Sequence, residues 1–131
     1  TEATTHEVLD VAKGVEIYEI DGPFFFGVAT KFDELMRTSM ANKPLVRIIR
    51  MRKVPFIDST GLHNLEILIK SSQKDGIHVV LSGVQATVHE TLKHANIDKL
   101  IGADHICAHI TSAVVMANNI VSRINANSIN A

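Results

Sequence analysis

The segment VPFIDSTGLHNL, Val54 to Leu65, sets a carboxylate, two hydroxyls and a glycine in succession, Asp58, Ser59, Thr60 and Gly61. An apolar stretch gives way there to a helical period, so these groups stand at a predicted helix start. A helix start leaves backbone N–H groups unsatisfied and carries the positive end of the macrodipole, which stabilises an anion or a phosphorylated side chain. Ser59 is therefore a candidate phosphoacceptor. A phosphate on it would add about −1.5 to −2 charges beside Asp58 and change a docking surface by one modification. The plainer reading is that Asp58 or Ser59 caps the helix, as these residue types commonly do. Spacing alone favours the cap.

Four cations follow one another at Arg47, Arg50, Arg52 and Lys53. In a strand, Arg50 and Arg52 share one face and Arg47 takes the other. Two readings stand: a phosphate- or membrane-facing patch around Arg50 and Arg52, or a solvated strand end, which the alternation favours. His105, Cys107 and His109 alternate, but in an extended strand the two histidines lie roughly 13 Å apart, too far to share one ion, so no metal is expected. His63, His78, His89 and His94 are scattered and show no pairing in the sequence. Ser59 lacks the GxSxG context of a nucleophile elbow, and no histidine or carboxylate is singled out as its partner, so catalysis is not expected. No GxxxxGK[ST] phosphate loop is present. Cys107, the single cysteine, excludes an intrachain disulfide and sits in an apolar stretch where a thiol usually behaves as a small buried hydrophobe.

The elements that must position these groups follow from periodicity. Val15–Ile20 alternates as a half-buried strand; Asp21 and Gly22 signal a turn into the apolar run Phe24 to Ala29, giving a hairpin. Within that run Phe25 points opposite to Phe24 and Phe26, so it is either a contact surface or part of a strand buried on both faces; burial is favoured. Thr30 and Asp33 resemble a capping box before a helix bearing Phe32, Leu35, Met36 and Met40. LVRIIRM is a strand ending near Pro55. A helix then carries Leu62, Leu65, Leu68 and Ile69 and closes at Gly76. Ile77 to Gly83 is a strand, followed by a helix with Val88, Leu92 and Ala95 and a possible Thr87–Glu90 cap pair. A short strand at Ile106 to Ala108 precedes a last helix striped by Ile110, Val114, Ala117, Val121 and Ile124, and the closing NANSINA reads as a fraying polar tail. The order β-β-α-β-α-β-α-β-α specifies an α/β domain with a mixed β-sheet and packed helices.

At 131 residues the chain fits one domain, spanning residues 1–131. Its 46% hydrophobic and 21% charged residues are close to globular averages. Thirteen Lys and Arg against fourteen Asp and Glu leave a net charge of −1, which offers nucleic acid no attracting field, so no nucleic-acid partner is expected. No apolar run approaches the roughly 18 residues of a membrane span. The start at Thr1 rather than Met suggests a piece of something longer.

IDSTGL, set between an apolar strand and an amphipathic helix, resembles the signature loop of STAS domains, found in anti-sigma factor antagonists and at the cytoplasmic ends of SulP-type anion permeases. The resemblance runs from about Val15 to Ile124, and DGPFFFGVATKFDEL and RMRKVPFIDSTGL are similar to the permease branch. It implies the STAS (anti-sigma factor antagonist-like) fold and a non-catalytic regulatory domain of a SulP-type anion transporter, with sulfate as one candidate anion. Such a domain would lie at the cytoplasmic face of the inner membrane, as the C-terminal end of a multi-pass protein, against its own transmembrane domain. The resemblance also admits acyl carrier protein or a kinase as partners, pairing with a second copy, and weak nucleotide binding; no other cofactor is implied. The alternative it carries is a free-standing anti-sigma factor antagonist, in which motif match gives Ser59 the phosphorylated hydroxyl.

Overall fold

The computed structural model describes residues 10–21 and 43–130. Strand β1 is Val15–Asp21, β2 Val46–Lys53, β3 His78–Ser82 and β4 Ile106–Cys107. They lie in the order β1-β2-β3-β4, and each neighbouring pair is parallel. Parallel neighbours cannot be joined by a tight turn, so helices must carry the chain back. Helix α1 (Ser59–Lys74) does so between β2 and β3, and α2 (Ala86–His94) with the short α3 (Ile97–Ile101) between β3 and β4. Helix α4 (Ile110–Asn130) follows β4. The hairpin strand from Phe24 to Ala29, which would make the sheet mixed, the helix begun by Thr30, and Phe25 itself lie outside the described residues.

Alternation along β2 and β3 divides the apolar residues between two cores. Ile49, Met51, Val79 and Leu81 pack with Leu65, Leu68 and Ile69 of α1, Val88 and Leu92 of α2, and Ile97 and Ile101 of α3. Val46, Ile48 and Val80 face the other way, onto Ala113, Val114, Ala117, Ile120 and Val121 of α4. The sheet is thus covered on both faces, which is why β2 reads as a nearly unbroken apolar run. Asn118 of α4 ties down the segment before β1: its Oδ1 accepts the Ala12 N–H at 2.9 Å and its Nδ2 donates to the Asp10 carbonyl at 2.9 Å.

Three local expectations are corrected. Helix α2 starts at Ala86, capped at Gln85, so Thr87 and Glu90 form no capping pair; the Thr87 hydroxyl instead donates to the Pro55 carbonyl at 3.3 Å. Helix α3 replaces an expected connection. The polar tail does not fray but continues α4 to Asn130, since no Gly or Pro interrupts the chain from Ile110 onward.

Candidate functional site

Strand β2 ends at the edge of the sheet where all four strands have their C-terminal ends. The Val54 N–H donates to the Met51 carbonyl at 3.0 Å and bends the chain out of the strand. Buried Val54 and Ile57 anchor the loop at two points and push out Phe56 between them, which is 49% exposed. From the neighbouring connection, Thr87 holds Pro55 and Gln85 Nε2 donates to the Arg52 carbonyl at 3.1 Å. The loop is therefore pinned from both sides.

Asp58 then takes extended backbone angles (φ −89°, ψ 177°), and its Oδ1 accepts the Gly61 N–H at 2.7 Å while its carbonyl accepts the Leu62 N–H at 2.8 Å. Asp58, not Ser59, is the cap. Ser59 and Thr60 occupy the first two helical positions and are exposed, whereas Gly61 is buried. The structure thus brings Asp58, Ser59, Thr60 and Gly61 into one turn, with the carboxylate used structurally and the two hydroxyls open to solvent. Exposed His63 and half-exposed Ile67 continue the same face of α1. A phosphate on Ser59 would meet the positive end of α1 but stand beside the Asp58 carboxylate, so its effect is a balance of dipole attraction and like-charge repulsion.

The basic cluster is not a solvated strand end. Arg47 is fully buried, its Nη1 donating to Ser72 Oγ of α1 at 3.0 Å and its Nε to Glu16 Oε1 at 3.3 Å. Arg50, 3% exposed, is no part of the surface; its Nε lies 3.8 Å from Glu19 Oε1. The same carboxylate, 11% exposed, takes Arg52 Nη2 at 3.1 Å and Lys53 Nζ at 3.4 Å. Register explains this gathering: Glu19 stands opposite Arg50, and an irregularity beyond it brings Asp21 opposite Lys53. Such an extra residue re-aims a side chain, placing Glu19 within reach of three cations. Arg52, 26% exposed, is the arginine of the pair that reaches the rim. Sequence reasoning missed Glu16 and Glu19 as the partners; their alternation in VEIYEI was the available signal.

His105, Cys107 and His109 are not assembled. His105 sits in a 3-10 turn, Ala103–His105, with its Nδ1 2.9 Å from the Val79 carbonyl. Cys107 is buried in β4 with its Sγ 3.7 Å from the Asp104 carbonyl. Burial pushes its thiol above the ordinary range; a hydrogen bond with Ser112 pulls it back in part, and the Asp104 charge adds to the rise. His109 is exposed ahead of α4. No group of three potential ligands forms among the described residues.

Residues 8–113 match the family model of the STAS domain. The chain belongs to the STAS domain family. A crystal structure of a sulfate transporter family protein from Wolinella succinogenes is similar at 39% identity and a TM-score of 0.83, over 91% of this chain and 95% of that one. The SulP transporter STAS domain from Vibrio cholerae is similar at 33% identity and a TM-score of 0.78, over 93% and 94%. These two likenesses put this STAS domain in the SulP branch. Sulfate transporter 1.1 of Arabidopsis thaliana is 28% identical over 120 residues, 83% of this chain but 18% of the relative. The chain spans a fifth or less of the curated relatives it matches. A Thermotoga maritima protein described as a candidate anti-sigma factor antagonist shares the fold alone, at 20% identity and a TM-score of 0.69 over 85% and 93%. Among the described residues no helix is long and apolar enough to cross a membrane.

Proposed function

We propose that this STAS domain is a non-catalytic regulatory and interaction module of a SulP-type anion transporter, held at the cytoplasmic face of the inner membrane and acting through contact with the transporter's own transmembrane domain. The observation that carries the reading is its likeness, over nearly its whole length, to SulP STAS domains. The pinned loop supports it: Phe56, Ser59, Thr60, His63 and Ile67 form an exposed face on a rigid helix start, the arrangement a docking surface needs.

Two measurements test this. The reading frame upstream of Thr1 is expected to encode several apolar segments of about 20 residues each; a start codon close upstream with none of them ends the transporter reading. In the full-length protein, reconstituted in vesicles, Phe56→Ser with Ile67→Ser should lower sulfate uptake while the isolated chain still unfolds cooperatively in urea. Uptake equal to that of the unaltered protein would count against this face as the contact.

One observation favours a second reading, a soluble antagonist switched at Ser59: that hydroxyl is exposed and is not consumed by the cap. Mass spectrometry of the chain recovered from its own cells would show a phosphate on Ser59, and Ser59→Asp would change partner binding. Absence of both results would remove the switch.

A further inference from the structure

Two cavities meet at the outer edge of β3. Strand β4 pairs only with Leu81 and Ser82, so among the described residues the first part of β3 has no strand beyond it. One cavity, about 250 Å³, lies on the α1 and α3 side, with Gln73 and Ile101 in its wall. The other, about 270 Å³, lies against α4 and is lined by His78, His105, Ile120, Arg123, Ile124 and Asn127. His78 and His105 line both.

The four α4 residues recur at spacings of three and four, which puts them on one face of the helix. Ile120 and Ile124 give that face an apolar floor that is continuous with the core, and Arg123 and Asn127 are exposed at the rim. His105 is held by its backbone N–H on the Gly102 carbonyl at 3.0 Å and its Nδ1 on the Val79 carbonyl at 2.9 Å. A carbonyl only accepts, so Nδ1 carries a proton, and Nε2 can donate to an anion only when the ring is doubly protonated. Among the described residues, the Arg123, His78 and Asn127 side chains make no hydrogen bond and no ion pair. No carboxylate lines either cavity; Asp104, next to His105, is exposed outside both linings, and Lys43 Nζ stands 3.8 Å from where a Cβ on Gly76 would be, at the wall of the first cavity.

We infer that the groove between β3 and the C-terminal half of α4 binds a small organic anion, its oxyanion head held by His78, His105 and Arg123 and its short apolar body seated on Ile120 and Ile124. The volume of about 270 Å³ lies just below the usual range of ligand pockets and suits a body of a few carbons. Charge-assisted hydrogen bonds from a guanidinium to a carboxylate or similar head are the strong kind, and a bidentate arginine adds orientation. The inference does not depend on the transporter reading, because it concerns only groups within this domain.

The test is titration of the isotopically labelled chain with sodium butyrate at constant ionic strength and pH 6. The Ile120 and Ile124 methyl signals and the His78 and His105 ring signals should shift saturably in the millimolar range. Arg123→Gln, at an exposed position that keeps a good helix former, should weaken binding by about tenfold or more, the effect of losing one charged hydrogen bond. His78→Gln should weaken it as well, and sodium sulfate, which has no apolar body, should bind more weakly than butyrate. Shifts that do not saturate, an affinity unchanged in Arg123→Gln, or sulfate binding as tightly as butyrate would overturn the assignment.

Discussion

Gly83 closes β3 beside the loop that presents Ser59, and replacing it with alanine tests how tightly that corner is built. Its φ of +67° lies in the left-handed region, and a Cβ there would stand 2.8 Å from Arg52 Cβ and 3.0 Å from both Arg52 Cα and Arg52 N. Arg52 has little freedom to retreat: its carbonyl holds Gln85, its guanidinium holds Glu19, and its strand is central in the sheet. Gly76 provides the comparison. Its φ is +76°, but the nearest atom to a new Cβ is the flexible end of Lys43 at 3.8 Å. Gly76→Ala should therefore cost only the left-handed penalty, about 1–2 kcal/mol. Gly83→Ala carries that penalty plus overpacking against backbone, about 1–3 kcal/mol more, for a total of about 2–5 kcal/mol. Urea unfolding followed by far-UV circular dichroism reads both; for a domain of this size each kcal/mol moves Tm by about 3–4 °C. If the two variants lose the same stability within about 0.5 kcal/mol, the close approach of β3 to Arg52 does not hold in solution.

Asp58→Ala should cost about 1 kcal/mol through loss of the cap, with Asp58→Asn retaining most of it, as urea midpoints would show; no loss in the alanine variant would mean the α1 start is held by other groups. Glu19→Gln removes the carboxylate shared by Arg50, Arg52 and Lys53 and should cost about 2–3 kcal/mol, less than a fully buried pair because two of the cations reach solvent; a loss below about 0.5 kcal/mol would mean the cluster is solvated. Because the Cys107 thiol is raised in the folded state, chiefly by burial, the unfolded chain gives up its proton first as pH rises. The contribution of this thiol is therefore full below its ordinary value of 9.0 and is lost between that value and the higher folded one. Urea midpoints should fall over that alkaline window in the native chain and fall less in Cys107→Ala, and identical pH profiles would contradict a buried thiol.

What was legible in the sequence is what periodicity encodes. Helices α1 and α4 are long enough to show an apolar stripe, and Leu65, Leu68, Ile69, Val114, Ala117 and Val121 are the residues the two cores use. The Asp58–Gly61 turn was legible for the same reason, because a capping residue between an apolar strand and a helical period has few other places to go. Helix α3 has five residues, too few to show a period, so it read as a connection. The fate of the cations was hidden because it depends on register. Only when Glu16 and Glu19 stand opposite Arg47 and Arg50 does a run of basic residues become an interior feature. His78 and His105 meet by the same kind of non-local event, when β4 proves too short to cover the edge of β3.

Buried charges on β2 are poor stabilisers by comparison with apolar residues of similar volume, so their value here lies in what they specify. A one-residue slip of β1 against β2 would turn Glu19 to the wrong face and strand Arg50 without its carboxylate. The charge pairs thereby fix the register, the register fixes where β2 ends, and the end of β2 fixes the turn that exposes Ser59 and Thr60. The anion groove is placed by different means, at the opposite end of β3 against α4, beside the other cavity at the far end of α1, where Gln73 forms part of the wall. A helix of 16 residues spans about 24 Å, so groups at its two ends share no contact. Substitutions in the groove should therefore leave the Ser59 turn intact, and substitutions in that turn should leave anion binding intact, so that each reading stands or falls on its own measurement.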